Sequence, residues 1–111
     1  MSTTKEIKFT VSLDENHIPE KIEWTASEGG GVSNEEIKAM MISVWDPKEK
    51  VAKRVDLWTK DMLVDEMKYY HFQTLMTLAD TLERSTGEVE SAKKIRALGM
   101  KIGKDMKVLV K

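Results

Sequence analysis

The sequence contains no cysteine, and its 111 residues include only two prolines and six glycines. Without cysteine, a disulfide, a thiolate zinc site and a cysteine nucleophile are all excluded. The low proline and glycine content, together with 41% hydrophobic and 33% charged residues, is typical of a folded chain and not of a disordered one. A chain of this length has room for one hydrophobic core, so we predict a single domain spanning residues 1–111.

Long apolar runs are also absent. The longest uninterrupted apolar stretch is residues 39–42, far below the roughly 18 residues that a membrane-spanning helix requires. The first ten residues, MSTTKEIKFT, lack the apolar run of a signal peptide. We therefore predict no membrane span and a cytoplasmic location.

The net charge is only −1, which disfavours a general nucleic-acid binder, but the charge is unevenly spread. Residues 1–36 carry eight acidic and three basic side chains, a net charge of −5. Residues 88–111 carry seven basic and three acidic side chains, a net charge of +4. Such asymmetry indicates a charged docking surface.

Alternation of apolar and polar residues predicts strands in the first half of the chain. It runs from Ile7 to Leu13 and again from Ile22 to Ala26, which predicts a β-hairpin with a polar loop. Residues 33–36 match a helix capping box and predict the start of a helical turn. A second hairpin is predicted from residues 40–45 and 51–58, joined by a type I turn with proline at its second position.

The second half changes to the helical period. Apolar residues three and four apart predict one amphipathic helix from Val64 that stops at Gly87, and a second helix from about Val89. Gly99 and Gly103 predict a close helix contact. The predicted fold is therefore α+β, with a four-stranded antiparallel sheet of two hairpins followed by two amphipathic helices packed on one face.

Candidate catalytic and ligand residues favour structural roles. His17 lies beside two acidic residues in a loop that fails the calcium-loop pattern, and His71 has no second ligand at helical spacing. The carboxylates near the strand-to-helix corner lie in polar segments: Asp56, Asp61, Asp65 and Glu66. Gly29–Gly31 could cradle a phosphate, but acidic residues flank it and no Lys-Ser/Thr follows. We predict no catalytic residue, no metal and no cofactor, hence no enzyme.

The strands of the second hairpin have more apolar residues than one core face can use. Val51, Val55 and Leu57 alternate and predict the core face, which leaves Met41, Trp45 and Trp58 on the opposite side. An exposed apolar patch of this kind is typical of a partner-binding surface, and eight methionines add adaptable apolar area. Alternatively, the first hairpin or a twin subunit covers the patch, and the sequence leaves both interpretations open.

The last predicted helix is rich in basic residues. Lys93, Lys94 and Arg96 could face an acidic partner or a membrane surface. The alternative is a solvated helix face, because lysines near a helix C-terminus stabilise the helix in any case. We include these three residues with Met41, Trp45 and Trp58 as candidate partner-binding residues.

Several stretches resemble the GldC family of gliding-motility proteins, and they extend over most of residues 6–86. They are Leu-Asp-Glu-Asn at 13–16, Pro-Glu-Lys-Ile-Glu-Trp at 19–24, Ala-Met-Met-Ile-Ser-Val-Trp-Asp at 39–46, Val-Asp-Leu-Trp-Thr-Lys-Asp-Met at 55–62, Val-Asp-Glu-Met-Lys at 64–68, Gln-Thr-Leu at 73–75 and Ala-Asp-Thr at 79–81. The resemblance implies a small soluble cytoplasmic protein of bacterial gliding motility and its linked secretion machinery, typical of Bacteroidetes. It implies no enzymatic activity and no ligand, so it supplies no catalytic residue.

Two hypotheses follow. The first is a non-enzymatic accessory or adaptor protein that binds a protein of the motility or secretion machinery, and homo-oligomers are possible. The alternative is a chaperone for exported or assembling proteins, because four strands followed by two helices is similar to the element order of the export chaperone SecB. An enzyme would need a pocket with converging titratable groups, which the sequence does not indicate.

Overall fold

The chain forms five β-strands followed by two α-helices in the computed structural model, which describes residues 3–27 and 33–109. The predicted α+β class is therefore confirmed. The strands and the helices belong to two compact units, Met1–Met62 and Leu63–Lys111. That residues 1–111 act as one domain, and that the helices cover one face of a sheet, stay predictions.

The first sheet has three antiparallel strands in the order β1-β2-β3, namely β1 (Ile7–Leu13), β2 (Pro19–Ala26) and β3 (Glu35–Ile37). The predicted first hairpin is confirmed, with Val11 opposite Ile22. Asp14 shapes its loop, because its Oδ1 accepts the backbone N–H groups of Asn16 and Ile18 at 2.8 and 3.0 Å. Ile22 at the middle of β2 is fully buried and anchors this sheet.

The helical turn predicted at residues 33–36 is wrong, because Glu35 begins strand β3 instead. Asn34 adopts a left-handed backbone (φ 53°), and its N–H donates to Oγ1 of Thr25 at 2.9 Å. The indole Nε1 of Trp24 donates to Glu35 at 2.9 Å across the β2–β3 pair. Partners on β2 therefore hold this segment extended. The predicted glycine linker, Gly29–Gly31, lies outside the described residues.

The second sheet is the antiparallel hairpin of β4 (Ala39–Asp46) and β5 (Val51–Trp58). The predicted second hairpin is confirmed, and residues 47–50 form its loop. Oδ1 of Asp46 accepts the N–H groups of Lys48 and Glu49, and Lys50 takes a left-handed backbone (φ 57°) that closes the turn.

The predicted four-stranded sheet is wrong, because the strands divide into a three-stranded and a two-stranded sheet. The short strand β3 already pairs with β2, and only Lys38 separates β3 from β4. Since the edge of β2 is occupied, β4 pairs with β5 alone.

The two helices are α1 (Val64–Thr86) and α2 (Val89–Asp105), at the predicted positions. Glu66 accepts the N–H of Leu63 at 2.9 Å and so fixes the start of α1. Gly87 ends it in the predicted way, with φ 77° and its N–H donating to the carbonyl of Glu83 at 2.9 Å.

The helices pack against each other as an antiparallel pair. Gly99 and Gly103 are buried in α2, as the small-residue spacing predicts. A Cβ at Gly99 would lie 2.7 Å from Sδ of Met76, and a Cβ at Gly103 would lie 3.0 Å from ring carbons of Phe72. The two glycines therefore leave room for side chains of α1, and at Gly103 the space is filled by the ring of Phe72.

Candidate interaction surface

The register of the β4–β5 hairpin decides which side chains share a face. Met41 lies opposite Asp56, Trp45 opposite Ala52, and Trp58 opposite Ala39. Directly opposed residues of an antiparallel pair project to the same side, and residues two apart along a strand do so too. Met41, Trp45 and Trp58 therefore project from one side of the hairpin, which we call the tryptophan face.

Both indoles of the tryptophan face are accessible to solvent. Trp45 is 65% exposed and Trp58 is 53% exposed, whereas Met41 is half-buried. Positions 39 and 45 are six residues apart on β4, so the indoles lie on the order of 20 Å apart along the strand direction. Two large, half-solvated aromatic groups on one face are typical of the anchors of protein interfaces.

An ion pair separates the two tryptophans on this face. The guanidinium of Arg54 donates to the carboxylate of Asp56 through Nη2 at 2.9 Å and through Nε at 3.2 Å. Both side chains are close to half exposed. The tryptophan face thus has aromatic ends and a charged centre of both signs.

The opposite face of the hairpin differs from the prediction. Val51, Val55 and Leu57 were expected to form a core face, but Val51 is 42% and Val55 50% exposed. Of the positions on this side, Met40 is buried and Leu57 half-buried. The alternation correctly assigned these residues to a common face, but a hairpin of only two strands leaves the end near the loop uncovered.

An ion pair stabilises the loop end of the β4–β5 hairpin. Nζ of Lys53 lies 2.9 Å from Oδ2 of Asp46. This hydrogen bond, followed by those from the N–H groups of Glu49 and Lys48, lowers the pKa of Asp46 below its ordinary value. The turn therefore stays closed and carries an ionised carboxylate at neutral pH.

The three basic candidates on α2 have different surroundings. Arg96 donates to Asp80 at 2.8 Å and to Glu83 at 2.9 Å, and these bonds raise the pKa of the guanidinium. Lys93 lies 3.6 Å from Glu90, one turn earlier on the same helix, and Lys94 is exposed. Arg96 thus joins α2 to α1, and a partner role for these residues stays a prediction.

The histidines and carboxylates that were candidates for catalysis or metal binding have structural roles in turns and helices. Nδ1 of His71 lies 2.9 Å from the carbonyl of Met67, one turn earlier on α1. The hydroxyl of the buried Thr59 donates to Asp61, which lowers the pKa of that carboxyl. His17 occupies a left-handed turn position (φ 63°). Within residues 3–27 and 33–109, no three histidine or acidic side chains are grouped as metal ligands would be.

One ion pair that the sequence does not predict ties the first loop to the end of β5. Nζ of Lys60 lies 2.9 Å from Oδ2 of Asp14 and 3.5 Å from Glu20. The hydrogen bond to Lys60 is the main reason that the pKa of Asp14 is lowered. The 46-residue separation of the pair explains why no local pattern could reveal it.

The described part of the chain defines a small α+β protein with an exposed two-stranded hairpin and a closely packed helix pair. None of the helices in that part is long and apolar enough to cross a membrane. The family model for gliding motility-associated protein GldC-like matches residues 19–108. The chain belongs to this family, as its resembling stretches predicted. No curated protein and no solved structure matches it.

Proposed function

We propose that this chain is a non-enzymatic accessory protein of gliding motility that acts by binding another protein of the motility or secretion machinery. Membership of the GldC-like family supports the association with motility. The exposure of Trp45 and Trp58 on one face of the hairpin is the observation that carries the binding role. We propose the cytoplasm as its location.

The tryptophan face has the chemical character that a protein partner requires. Each indole offers a large rigid apolar surface and one N–H donor, and a tryptophan buries about 150–250 Å² in an interface. Arg54 and Asp56, between the two indoles, provide polar contacts of both signs. The partner would therefore present two apolar pockets on the order of 20 Å apart, with polar groups between them.

The basic residues of α2 would add an electrostatic contribution to the binding of this partner. Lys93 and Lys94 are exposed on α2, in a C-terminal segment of net positive charge. Such charges raise the rate of association with an acidic partner more than they raise the affinity. Because Arg96 is engaged by Asp80 and Glu83, we expect the two lysines to contribute more than Arg96.

The test is capture of partners from the native host by the tagged chain, with cross-linking and mass spectrometry. Trp45→Ala and Trp58→Asp should each lose the main partner, because removing an anchoring tryptophan typically costs about 2 kcal/mol or more. Leu78→Ala is a matched control, since Leu78 is 53% exposed but lies on α1. If both tryptophan variants fold and keep every partner of the wild type, the proposal is wrong.

The exposed apolar residues on the other face of the hairpin favour a second candidate, a chaperone for exported or assembling proteins. Val44 and Val55 are 55% and 50% exposed there, opposite the tryptophan face. Apolar groups on both faces would suit extended, unfolded clients. A chaperone should slow the aggregation of an unfolded client at equimolar concentration, and failure to do so would exclude this candidate.

A further inference from the structure

We propose that two copies of this chain associate through the free edges of their β5 strands. The two strands would run antiparallel about a two-fold axis, with Val55 opposite the partner's Val55. The two hairpins would then form one four-stranded sheet in the order β4-β5-β5-β4. The proposal goes beyond binding to a motility protein, because it concerns an edge of the hairpin and a second copy of this chain.

The backbone of β5 offers a regular edge for such pairing. The N–H of Thr59 donates to the carbonyl of Lys38, and hydrogen-bonded and non-hydrogen-bonded pairs alternate along an antiparallel ladder. The odd-numbered residues of β5 therefore bond to β4. The backbone groups of the even-numbered residues point away from β4, namely those of Ala52, Arg54, Asp56 and Trp58.

The structure also shows where the free edge ends. The N–H of Lys60, the next even-numbered residue, donates to the carbonyl of Pro19 at 2.9 Å. This bond agrees with an outward direction for the even-numbered positions. Within residues 3–27 and 33–109, no backbone hydrogen bond outside the β4–β5 ladder involves residues 52–58, although β2 also contacts β5. Two such edges can form up to about eight backbone hydrogen bonds.

Charge selects one register for this pairing. With Val55 on the axis, Arg54 lies opposite the partner's Asp56, and Asp56 lies opposite the partner's Arg54. Moving the axis to Arg54 would oppose two arginines, and moving it to Asp56 would oppose two aspartates. Like charges directly opposite each other destabilise a strand pair, whereas opposite charges stabilise it.

The same register also brings side chains of compatible size together. Trp58 would lie opposite the partner's Ala52, and Ala52 already lies opposite Trp45 in its own hairpin. The small alanine leaves space for an indole on each side. On the other face, Val55 would pack against the partner's Val55, both of which are half exposed in the single chain.

The two-stranded sheet would gain stability from a second copy at this edge. A sheet of two strands is marginally stable, and β4–β5 is such a sheet. An unpaired edge also invites non-specific pairing, which charged residues at the edge normally prevent. The opposite charges of Arg54 and Asp56 disfavour pairing in other registers, where like charges would meet. They favour pairing with a second copy related by a two-fold axis, so the edge selects that partner.

The test uses charge reversal and sedimentation equilibrium of the purified chain. The wild type should dimerise, and Arg54→Asp or Asp56→Arg alone should each weaken the dimer roughly tenfold. An equimolar mixture of the two variants should restore the wild-type affinity, because the aspartate introduced at position 54 of one variant then faces the arginine introduced at position 56 of the other. Within each chain the like-charge pair persists, so recovery could only come from contacts between chains.

Proline substitutions provide a second, independent test. Ala52→Pro removes an outward N–H from β5 without breaking the β4–β5 ladder, and should abolish the dimer. Ser43→Pro makes the matched change on the outer edge of β4 and should leave the dimer intact. Circular dichroism verifies that both variants fold.

Three results would overturn the proposal: a wild type that stays monomeric up to about 1 mM, a mixture of charge variants that associates no better than either alone, or equal effects of the two prolines. Because sedimentation uses the purified chain alone, such a result would leave the capture of a motility partner untouched.

Discussion

Replacing Gly103 with alanine should destabilise the helix pair, whereas the same change at Gly99 should not. In an exposed helix, glycine to alanine adds about 0.5–1 kcal/mol of stability. At Gly103 the new Cβ would lie 3.0 Å from two ring carbons of Phe72 and 3.0 Å from Cγ of Leu109. A phenylalanine ring is stiffer than a methionine side chain and has less freedom to adjust, and such overpacking costs about 1–3 kcal/mol.

Gly99 is the matched control in the same helix. Its new Cβ would lie 2.7 Å from Sδ of Met76, but the other nearby atoms, on Leu75, are at least 3.6 Å away. A methionine side chain is flexible and can adjust, so the clash is relieved at little cost. We therefore expect Gly103→Ala to lose about 1 kcal/mol and Gly99→Ala to stay within about 0.5 kcal/mol of the wild type.

Urea unfolding followed by circular dichroism at the helical band measures both changes. Gly103→Ala should regain part of its stability when combined with Phe72→Leu, because the shorter side chain relieves the contact. Equal effects of the two glycine substitutions, or a stabilising Gly103→Ala, would refute the close packing of α2 on α1 at this position.

Two further predictions concern the charged groups. Arg96→Met should lower the free energy of unfolding more than Lys94→Met does, because Arg96 makes two partly exposed ion pairs between the helices. Thermal unfolding of both variants checks this, and equal losses would contradict it. Asp14 has a lowered pKa, so its ion pair with Lys60 stabilises the fold fully above the ordinary value of 3.8 and is lost as pH falls through the lower folded-state pKa. Asp14→Asn should therefore show a smaller loss of stability between about pH 5 and pH 2.5 than the wild type, as measured by urea midpoints, and identical pH profiles would argue against the pair.

Those parts of the fold that depend on local chemistry could be predicted from the sequence. The period of apolar residues and the stop signal at Gly87 located both helices, which begin at Val64 and Val89. Alternation located the strands of the first hairpin, and β-branched and aromatic content with a proline turn located the second hairpin. The glycine spacing in α2 predicted the close helix contact, because only the absence of a side chain allows it.

Pairing between distant strands could not be predicted in the same way. The capping-box pattern at residues 33–36 is satisfied by local hydrogen bonds in a helix. Here, instead, Trp24 and Thr25 of β2 form hydrogen bonds with Glu35 and Asn34. These long-range bonds outweigh the local preference. The division into two sheets follows from β3 occupying the edge of β2, which no pattern within a single strand reveals.

Of the candidate surface, only the part that depends on alternation within a strand could be predicted from the sequence. Period-two alternation placed Met41, Trp45 and Trp58 on one side of the second hairpin, and the observed register has all three on that side. The Arg54–Asp56 ion pair between the indoles depends on side-chain geometry and was not foreseen. That this face binds a partner is a proposal, to which the structure contributes the exposure of the two indoles.

Site-specific photo-cross-linking in the native host tests this binding role most directly. A benzophenone amino acid would replace Trp45 or Trp58, and in control strains Tyr69 or Leu78, which are 50% and 53% exposed on α1. We predict that positions 45 and 58 yield the same discrete adduct with a protein other than this chain, and that the helix positions do not. The same set of adducts from all four positions, or an adduct from the helix positions alone, would contradict it.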